Sequence, residues 1–361
     1  MDFELLQKRS FIIQNVRSFF DGKNYLEVDT PLLSPNLIPE SCLEVFRTDF
    51  LAPANSKTKI SKPYWLIPSP EIWMKKLIAA HHKDMYQICK SFRNVESCGK
   101  MHSPEFTMLE YYTMDANYID SLKITEDMVD NILCAANLHA PLIDAENYKT
   151  IAPPFLRMTM EEAFVRYAGF SLKKAITNGT LYKEAVNLGL EIQEQTGDDV
   201  IYNVIFIHKV ENSLPREKPT VLLDYPAIVP CLAAECDTDT DTDVPCLTYP
   251  CLASECDTKK NHKNCRARNK ERWELYIHGI EIANCFSEET DMNNVKTFFE
   301  NEATEKNKTA LVKHDIDADY YKIFKDFPRC SGVAMGLDRL IMAITGRKTI
   351  DGVLPFPMEE P

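Results

Sequence analysis

The chain has 361 residues, 45% hydrophobic and 26% charged, and its 41 basic and 54 acidic residues leave a formal net charge of −13. That is chain enough for a sizeable core and the composition of a soluble globular protein. Such acidity argues against gripping a nucleic-acid backbone over a broad surface, leaving only a local basic groove open.

Residues 4 to 21 place Leu5, Ile12, Val16, Phe19 and Phe20 on one helical stripe, with Gly22 as the expected stop. The same stretch carries Asp2, Glu4, Lys8 and Arg9, so it is no signal peptide, and no apolar run elsewhere is long enough to cross a bilayer. The expectation is a cytoplasmic protein whose twelve cysteines are mostly reduced. A strand, YLEVDTPLLS, follows and closes at Pro31; further strands are read at 43–51 and 64–68 around a polar excursion. Ser69-Pro70-Glu71 then starts a helix, IWMKKLIAA, with a carboxylate where the N-terminal amides favour one.

The stretch FRNVESCGKMHSPEFTMLEYY, from Phe92 to Tyr112, reads as a hairpin with a polar loop. On its returning strand, Phe106, Met108, Glu110 and Tyr112 share one face, while Glu105, Thr107, Leu109 and Tyr111 share the other. A helix is expected at 117–138, two or three more between 159 and 208, and a basic turn into a strand at 216–224. Residues 273–286 have strand composition broken at His278-Gly279; helices are expected at 291–305 and 316–325. A strand of small residues, 330–336, leads into the closing helix LDRLIMAITG. No regular βαβ beat is present, so an α+β fold, a mainly antiparallel sheet with flanking helices, is expected as a single domain.

PCLAAECDT at 230–238 recurs as PCLASECDT at 250–258 with DTDTD between them. Two copies are too few to build a solenoid core, and the acidic low-complexity linker suggests a solvated insertion at about 230–268. The Cys-x4-Cys spacing is not that of a zinc knuckle.

Four pieces carry chemistry together: Arg93; the face of Phe106, Glu110 and Tyr112; Glu274 and Glu281; and Gly336, Asp338 and Arg339 at the last helix. Guanidinium forks match phosphate oxygens, and carboxylates hold the Mg²⁺ that bridges phosphates. Glu274 and Glu281 fall on opposite faces of an unbroken strand, so the Gly279 interruption has to be a bulge or turn for them to meet. Taken singly, each glutamate reads more readily as an exposed strand carboxylate, and Arg339 as a partner of Asp338 or a helix-surface cation.

SFRN with MHSPEFTMLEYY resembles motif 2 of class II aminoacyl-tRNA synthetases of the lysyl type. SGVAMGLDRLIM resembles motif 3, and the first helix with YLEVDTPLLS resembles motif 1; SPE at 69–71 and GIEIANCFSE at 279–288 match further lysyl-type signatures. The resemblance implies a six-stranded antiparallel sheet flanked by helices and a homodimer built on motif 1. It assigns ATP to Arg93, Asn94, Glu96, Ser103, Phe106, Glu274, Leu275, Gly336 and Arg339, with Arg93 and Arg339 catalytic. It assigns the amino acid to Ser69, Pro70, Glu71, Glu110, Tyr112, Glu281 and Glu288, and Mg²⁺ to Glu274 and Glu281.

Because motif 1 begins essentially at Met1, the chain is similar to a free-standing catalytic core, the elongation factor P–(R)-β-lysine ligase family. That family's substrates are ATP, β-lysine or lysine, and elongation factor P, with tRNA unexpected as a partner. Ala334 falls where tRNA-charging relatives usually have glycine, consistent with a reshaped substrate pocket. tRNA charging and a non-catalytic synthetase-like regulator are the alternatives. Val95, Ser103, Cys285 and Glu289 depart from the family pattern.

Overall fold

The computed structural model describes residues 2–52, 61–95, 99–138, 145–236, 268–356 and 358. The first helix, α1 (Phe3–Gly22), is capped by Asp2, whose carboxylate accepts the Leu5 N–H at 3.1 Å. Its apolar stripe buries Leu5, Ile12, Val16 and Phe20, while Phe19 stays half-buried. The left-handed residue after it is Asn24 (φ 62°), not Gly22. Pro31 cannot donate to a ladder, and the single strand expected around it divides. β1 (Leu26–Glu27) and β2 (Leu33–Ser34) therefore join different sheets.

Next come β3 (Arg47–Phe50), β4 (Lys62–Leu66), α2 (Glu71–His81), β5 (Met85–Phe92), β6 (Glu105–Met114), α3 (Tyr118–Leu138), α4 (Ala145–Ile151) and β7 (Leu156–Thr159). In place of two or three helices, residues 159–208 hold four helical stretches: α5 (Met160–Ala163), continued by a π-helical turn at Phe164–Ala168; α6 (Leu172–Asn178); α7 (Leu181–Asn187); and α8 (Asp198–Ile205), continued by another at Phe206–Val210. Thr159 and Ser171 each start one with a side-chain cap. The chain ends with β8 (Thr220–Pro226), β9 (Asn269–Ile277), β10 (Ile280–Ser287), α9 (Met292–Thr309), a tight turn of helix at Tyr320–Asp326, β11 (Cys330–Gly336) and α10 (Leu337–Ile344).

The main sheet has the order β1-β5-β6-β11-β10-β9-β8-β7. Its six central strands are antiparallel to one another, but β1 joins β5 and β7 joins β8 in parallel. The sheet is therefore eight-stranded and mixed rather than six-stranded and antiparallel. The two added strands are edges of two and four residues, too short to show a period in sequence. β2, β4 and β3 make a separate three-stranded sheet.

One face of the main sheet packs against α1, α3 and α10 around Phe20, Tyr111, Trp273 and Val333. The other face is covered at one end by α2, α9 and the 320–326 turn, and at the other by α5 to α8. Between these covers lie the middle strands β6, β11, β10 and β9. Residues 231–236, expected to open a solvated insertion, instead lie on the sheet. Ala234 donates to the Ser287 carbonyl at 2.8 Å and accepts from Glu271 at 2.9 Å, and Leu232 and Ala233 are buried. The rest of the cysteine-rich stretch, 237–267, lies outside the described residues.

A buried pair ties α1, β6 and α10 together. Asp338, 3% exposed, accepts from the Arg9 guanidinium at 2.5 Å and from the Thr107 N–H at 2.6 Å, and Arg9 also donates to Thr107 Oγ1 at 2.8 Å. Asp338→Ala strands the Arg9 charge and the Thr107 donor. It is expected to cost about 3 kcal/mol in denaturant unfolding, the size seen when one partner of a buried pair is removed; a loss below about 1 kcal/mol would mean water reaches Arg9 freely.

Candidate active site

Strand pairing sets which side chains meet. Tyr112 lies opposite Gly332, Glu110 opposite Ala334 and Met108 opposite Gly336, with Asn284 opposite Ala334 and Phe286 opposite Gly332 on the far side. The small residues of β11 thus form a low floor between the walls of β6 and β10. Gly332 is required there: a Cβ would run into the Glu288 carboxylate and the Tyr112 ring. The opposite faces of these strands, with Leu109, Tyr111, Cys285 and Val333, belong to the core.

His278-Gly279 forms a two-residue turn between β9 and β10, both residues at positive φ (54° and 77°), as such turns require. The turn sets Glu281 opposite Tyr276, two residues from Glu274 and so on the same face. The odd spacing of the two glutamates is thereby reconciled. The pairing then slips by one residue between Glu281 and Ala283.

Two adjacent cavities lie on this face. The outer one, about 760 Å³, is lined by Arg93, Ser103, Phe106, Glu281, Gly336 and Arg339 among others. The Arg93 guanidinium lies 5.3 Å from the centre of the Phe106 ring, and its buried Nε has no hydrogen-bond partner among the described residues. Arg339 is oriented by backbone oxygens, donating to the Met101 carbonyl at 3.3 Å and the Glu281 carbonyl at 3.0 Å. Neither arginine has a carboxylate ion pair among the described residues. Two such guanidiniums in one cavity make an anion site suited to phosphate.

Beside it, Glu274 is held by Arg272 at 2.6 Å and by the Tyr276 hydroxyl at 2.7 Å. Burial and the neighbouring Glu274 charge push Glu281 up to about 7, against the pull of Arg339, Arg272 and Arg93. Of the two, Glu281 lines the cavity while the Glu274 oxygens are bonded by Arg272 and Tyr276, and among the described residues no group of three or more His, Cys, Asp or Glu side chains is placed to hold a metal ion.

The inner cavity, about 540 Å³, shares Arg93, Met108, Asn284 and Ala334 with the outer one, so the two adjoin. Four carboxylates line it: Glu40, Glu71, Glu110 and Glu288. Ser69 Oγ donates to Glu110 at 2.5 Å and accepts the Glu71 N–H at 3.0 Å, and the Tyr112 hydroxyl donates to Glu110 at 3.3 Å. Lys75, fully buried one turn into α2, reaches Glu71 at 2.5 Å and Glu288 at 2.7 Å. Burial pulls its ammonium down, but Glu288 and Glu71 outweigh burial and hold it well above the ordinary lysine value. Burial raises Glu110 to about 8, Glu71 adding to it, and burial likewise raises Glu288 to about 7 despite Lys75. Carboxylates outnumber cations here, so the cavity as built calls for incoming positive charge.

Not every residue assigned from sequence lines this site. Leu275 is wholly buried in the core on the opposite face, because strand neighbours alternate. Asn94 lines neither cavity: its Nδ2 donates to the Val45 carbonyl at 3.3 Å and its Oδ1 accepts the Val95 N–H, anchoring the loop. Pro70 lines neither and serves as the helix start, while Glu274 reaches the site only beside Glu281. Glu96 lies outside the described residues. Glu40, Lys75, Asn284 and Gly332 were not foreseen. The i, i+4 spacing of Glu71 and Lys75 on one helix was a readable signal for the second; Glu40 arrives from a loop with no periodicity at all.

A family model described as tRNA synthetases class II (D, K and N) matches residues 3–360. The chain belongs to this family. Among curated relatives of this class II synthetase, an elongation factor P–(R)-β-lysine ligase of Avibacterium paragallinarum is 33% identical over 357 residues, covering 99% of this chain and 96% of the relative. One of the same name from Photobacterium profundum is 30% identical over 357 residues, covering 98% and 95%.

The carboxylates of the inner cavity should shape the pH dependence of this synthetase. Glu110 titrates from an ordinary value of 4.5 when unfolded to about 8 when folded. Between those values the folded chain holds more protons than the unfolded one, so this group's contribution falls as pH rises. Glu110→Gln is therefore expected to flatten the decline in thermal stability between about pH 5 and 8.5. Parallel wild-type and variant melting curves across that range would show that Glu110 ionises freely.

Proposed function

We propose that this class II synthetase activates a lysine-type diamino acid, (R)-β-lysine or lysine, with ATP and transfers it to a lysine side chain of elongation factor P. The observation that carries the reading is the pairing of two cavities of opposite demand: among the described residues, one presents guanidiniums without carboxylate ion pairs, the other presents surplus buried carboxylates. They join at Arg93 and Ala334. A nucleotide triphosphate suits the first, and a substrate with two ammonium groups suits the second. The two curated relatives, matched over 96% and 95% of their own length, carry the name of this reaction.

In this reading the adenine stacks on Phe106, and Arg93 and Arg339 hold phosphate oxygens. The amino-acid carboxylate, at the junction of the cavities, attacks the α-phosphorus, and the bond to pyrophosphate breaks. Arg93 neutralises the charge that builds on the phosphoryl oxygens, and positioning lowers the rest of the barrier, so no protein acid or base is required. Glu274 and Glu281 would hold Mg²⁺, which supplies further charge neutralisation at the phosphates. The acceptor amine then attacks the acyl carbonyl and releases AMP. Glu110, Tyr112 and Glu288 face the side-chain ammonium and Glu71 the amino group near the carboxylate; a neutral analogue would leave these groups unpaired.

The reading includes a homodimer, which the exposed apolar residues Leu26 and Leu33 of the motif 1 segment support, and a cytoplasmic setting, which suits seven described cysteines that are all free thiols. Among the described residues no helix is long and apolar enough to cross a membrane.

The deciding experiment offers labelled β-lysine and ATP with either elongation factor P or tRNA. Label on elongation factor P is expected; label on tRNA would make this a tRNA-charging enzyme, and no ATP–pyrophosphate exchange with β-lysine or lysine would sink the enzymatic reading. Arg93→Ala is expected to lower adenylate formation by about a hundredfold or more, the loss typical of one transition-state charge contact.

A further inference from the structure

We infer that Glu40 is a specificity-determining residue of the inner cavity, binding the substrate ammonium that lies next to the reacting carboxylate. This rests on the amino-acid-activating reading above and adds a residue which the synthetase motifs do not contain.

Glu40 lines the inner cavity alongside Glu71 and Arg93. It lies close enough to Arg93, which lines both cavities, to feel the guanidinium's charge, and so stands near where the substrate carboxylate must meet the phosphate cavity. Burial, with the Glu71 carboxylate adding to it, raises Glu40 to about 7 although Arg93 and Lys306 pull the other way. Near neutral pH, then, a cation arriving between Glu40 and Glu71 relieves two mutually repelling groups at once.

The loop that carries Glu40 is clamped rather than free. Lys306 of α9 donates to the Glu40 carbonyl at 2.8 Å and also to the Leu43 carbonyl. Glu302 accepts the Ser41 N–H at 2.8 Å. Glu44 accepts the N–H groups of Leu311 and Val312 at 2.9 and 3.0 Å, and its carbonyl accepts the Asn94 N–H at 2.9 Å. The loop is thus fixed between α9 and the residue following Arg93, so its carboxylate is held in register with the phosphate-binding arginine. Glu71 stands between Glu40 and the remaining carboxylates: Lys75 joins it to Glu288, and Ser69 bonds both its N–H and Glu110. The carboxylates thus run from Glu40, beside Arg93, through Glu71 to Glu110 and Glu288, which with Tyr112 remain for the terminal ammonium.

The test compares Glu40→Gln with wild type using two ligands: β-lysine, and 6-aminohexanoic acid, which keeps the terminal amine and lacks the one near the carboxylate. Each is measured by KM, or as a competitor by Ki, in ATP–pyrophosphate exchange. Glu40→Gln is expected to weaken β-lysine about tenfold or more while leaving 6-aminohexanoic acid and the KM for ATP within about twofold, and Glu40→Asp is expected to fall between. Equal weakening of both ligands, or of neither, would overturn the assignment, since a loop-structural role cannot distinguish them. Melting temperatures verify that the variants fold. Absence of exchange in the wild type itself would instead overturn the functional reading.

Discussion

Several carboxylates are buried on one face of one sheet with too few cations to balance them, and much of the structure is arranged around that fact. An unpaired buried charge is costly, and the protein lowers the cost in two ways. Lys75, itself fully buried, spans Glu71 and Glu288, and hydroxyls from Ser69 and Tyr112 donate to Glu110. What is left over shows as carboxyl groups held up near 7 to 8. In the proposed reading, that deficit of positive charge is what selects the substrate: a diammonium ligand removes it and a neutral one does not. Beside this pocket stands the converse, a cavity whose two arginines are oriented by ring and backbone contacts and form no carboxylate ion pair among the described residues.

Keeping these opposite demands apart over a few ångströms is the work of backbone geometry. The floor strand carries Gly332, Ala334 and Gly336 at alternate positions, so ligand can lie where side chains would otherwise stand. Gly332 in particular lets Glu288 and Tyr112 close over the strand. The turn at His278-Gly279 brings Glu281 to the face of Glu274. On the rear face, the same alternation sends Leu109, Tyr111, Trp273 and Leu275 into the core that anchors the sheet on α1, α3 and α10. Site and core are the two sides of one pleat, which is why Leu275, next to a site residue, belongs wholly to the core.

Within the hairpin at 92–112, the strands and their faces follow directly from period-2 alternation, and Phe106, Glu110 and Tyr112 do share the site face. The loop is another matter: Asn94 turns to Val45, and Val95, a β-branched residue at φ 61°, is exposed in a conformation such residues rarely adopt. Ser103 lines the outer cavity and is buried, while Cys285 faces the core rather than the ligand. Glu289 accepts the Asp291 N–H and the Asn294 side chain at the start of α9, a capping role.

The sequence by itself determined what local rules govern: the strand faces, the helix start at Ser69-Pro70, the hairpin break at Gly279 and the family to which the motifs point. It also named Arg93, Arg339, Glu71, Glu110, Glu281 and Glu288, which line the two cavities, because phosphate and ammonium recognition leave few residue types to choose from. Tertiary structure alone decided what depends on distant segments meeting. Glu40 enters from a loop clamped to a helix more than 260 residues away, Asp338 pairs with Arg9 across 329 residues, and two short edge strands make a six-stranded expectation into an eight-stranded sheet. Alternation within a strand is a property of neighbouring residues; which strands adjoin, and which charges then find themselves buried together, is a property of packing, and no local pattern encodes it.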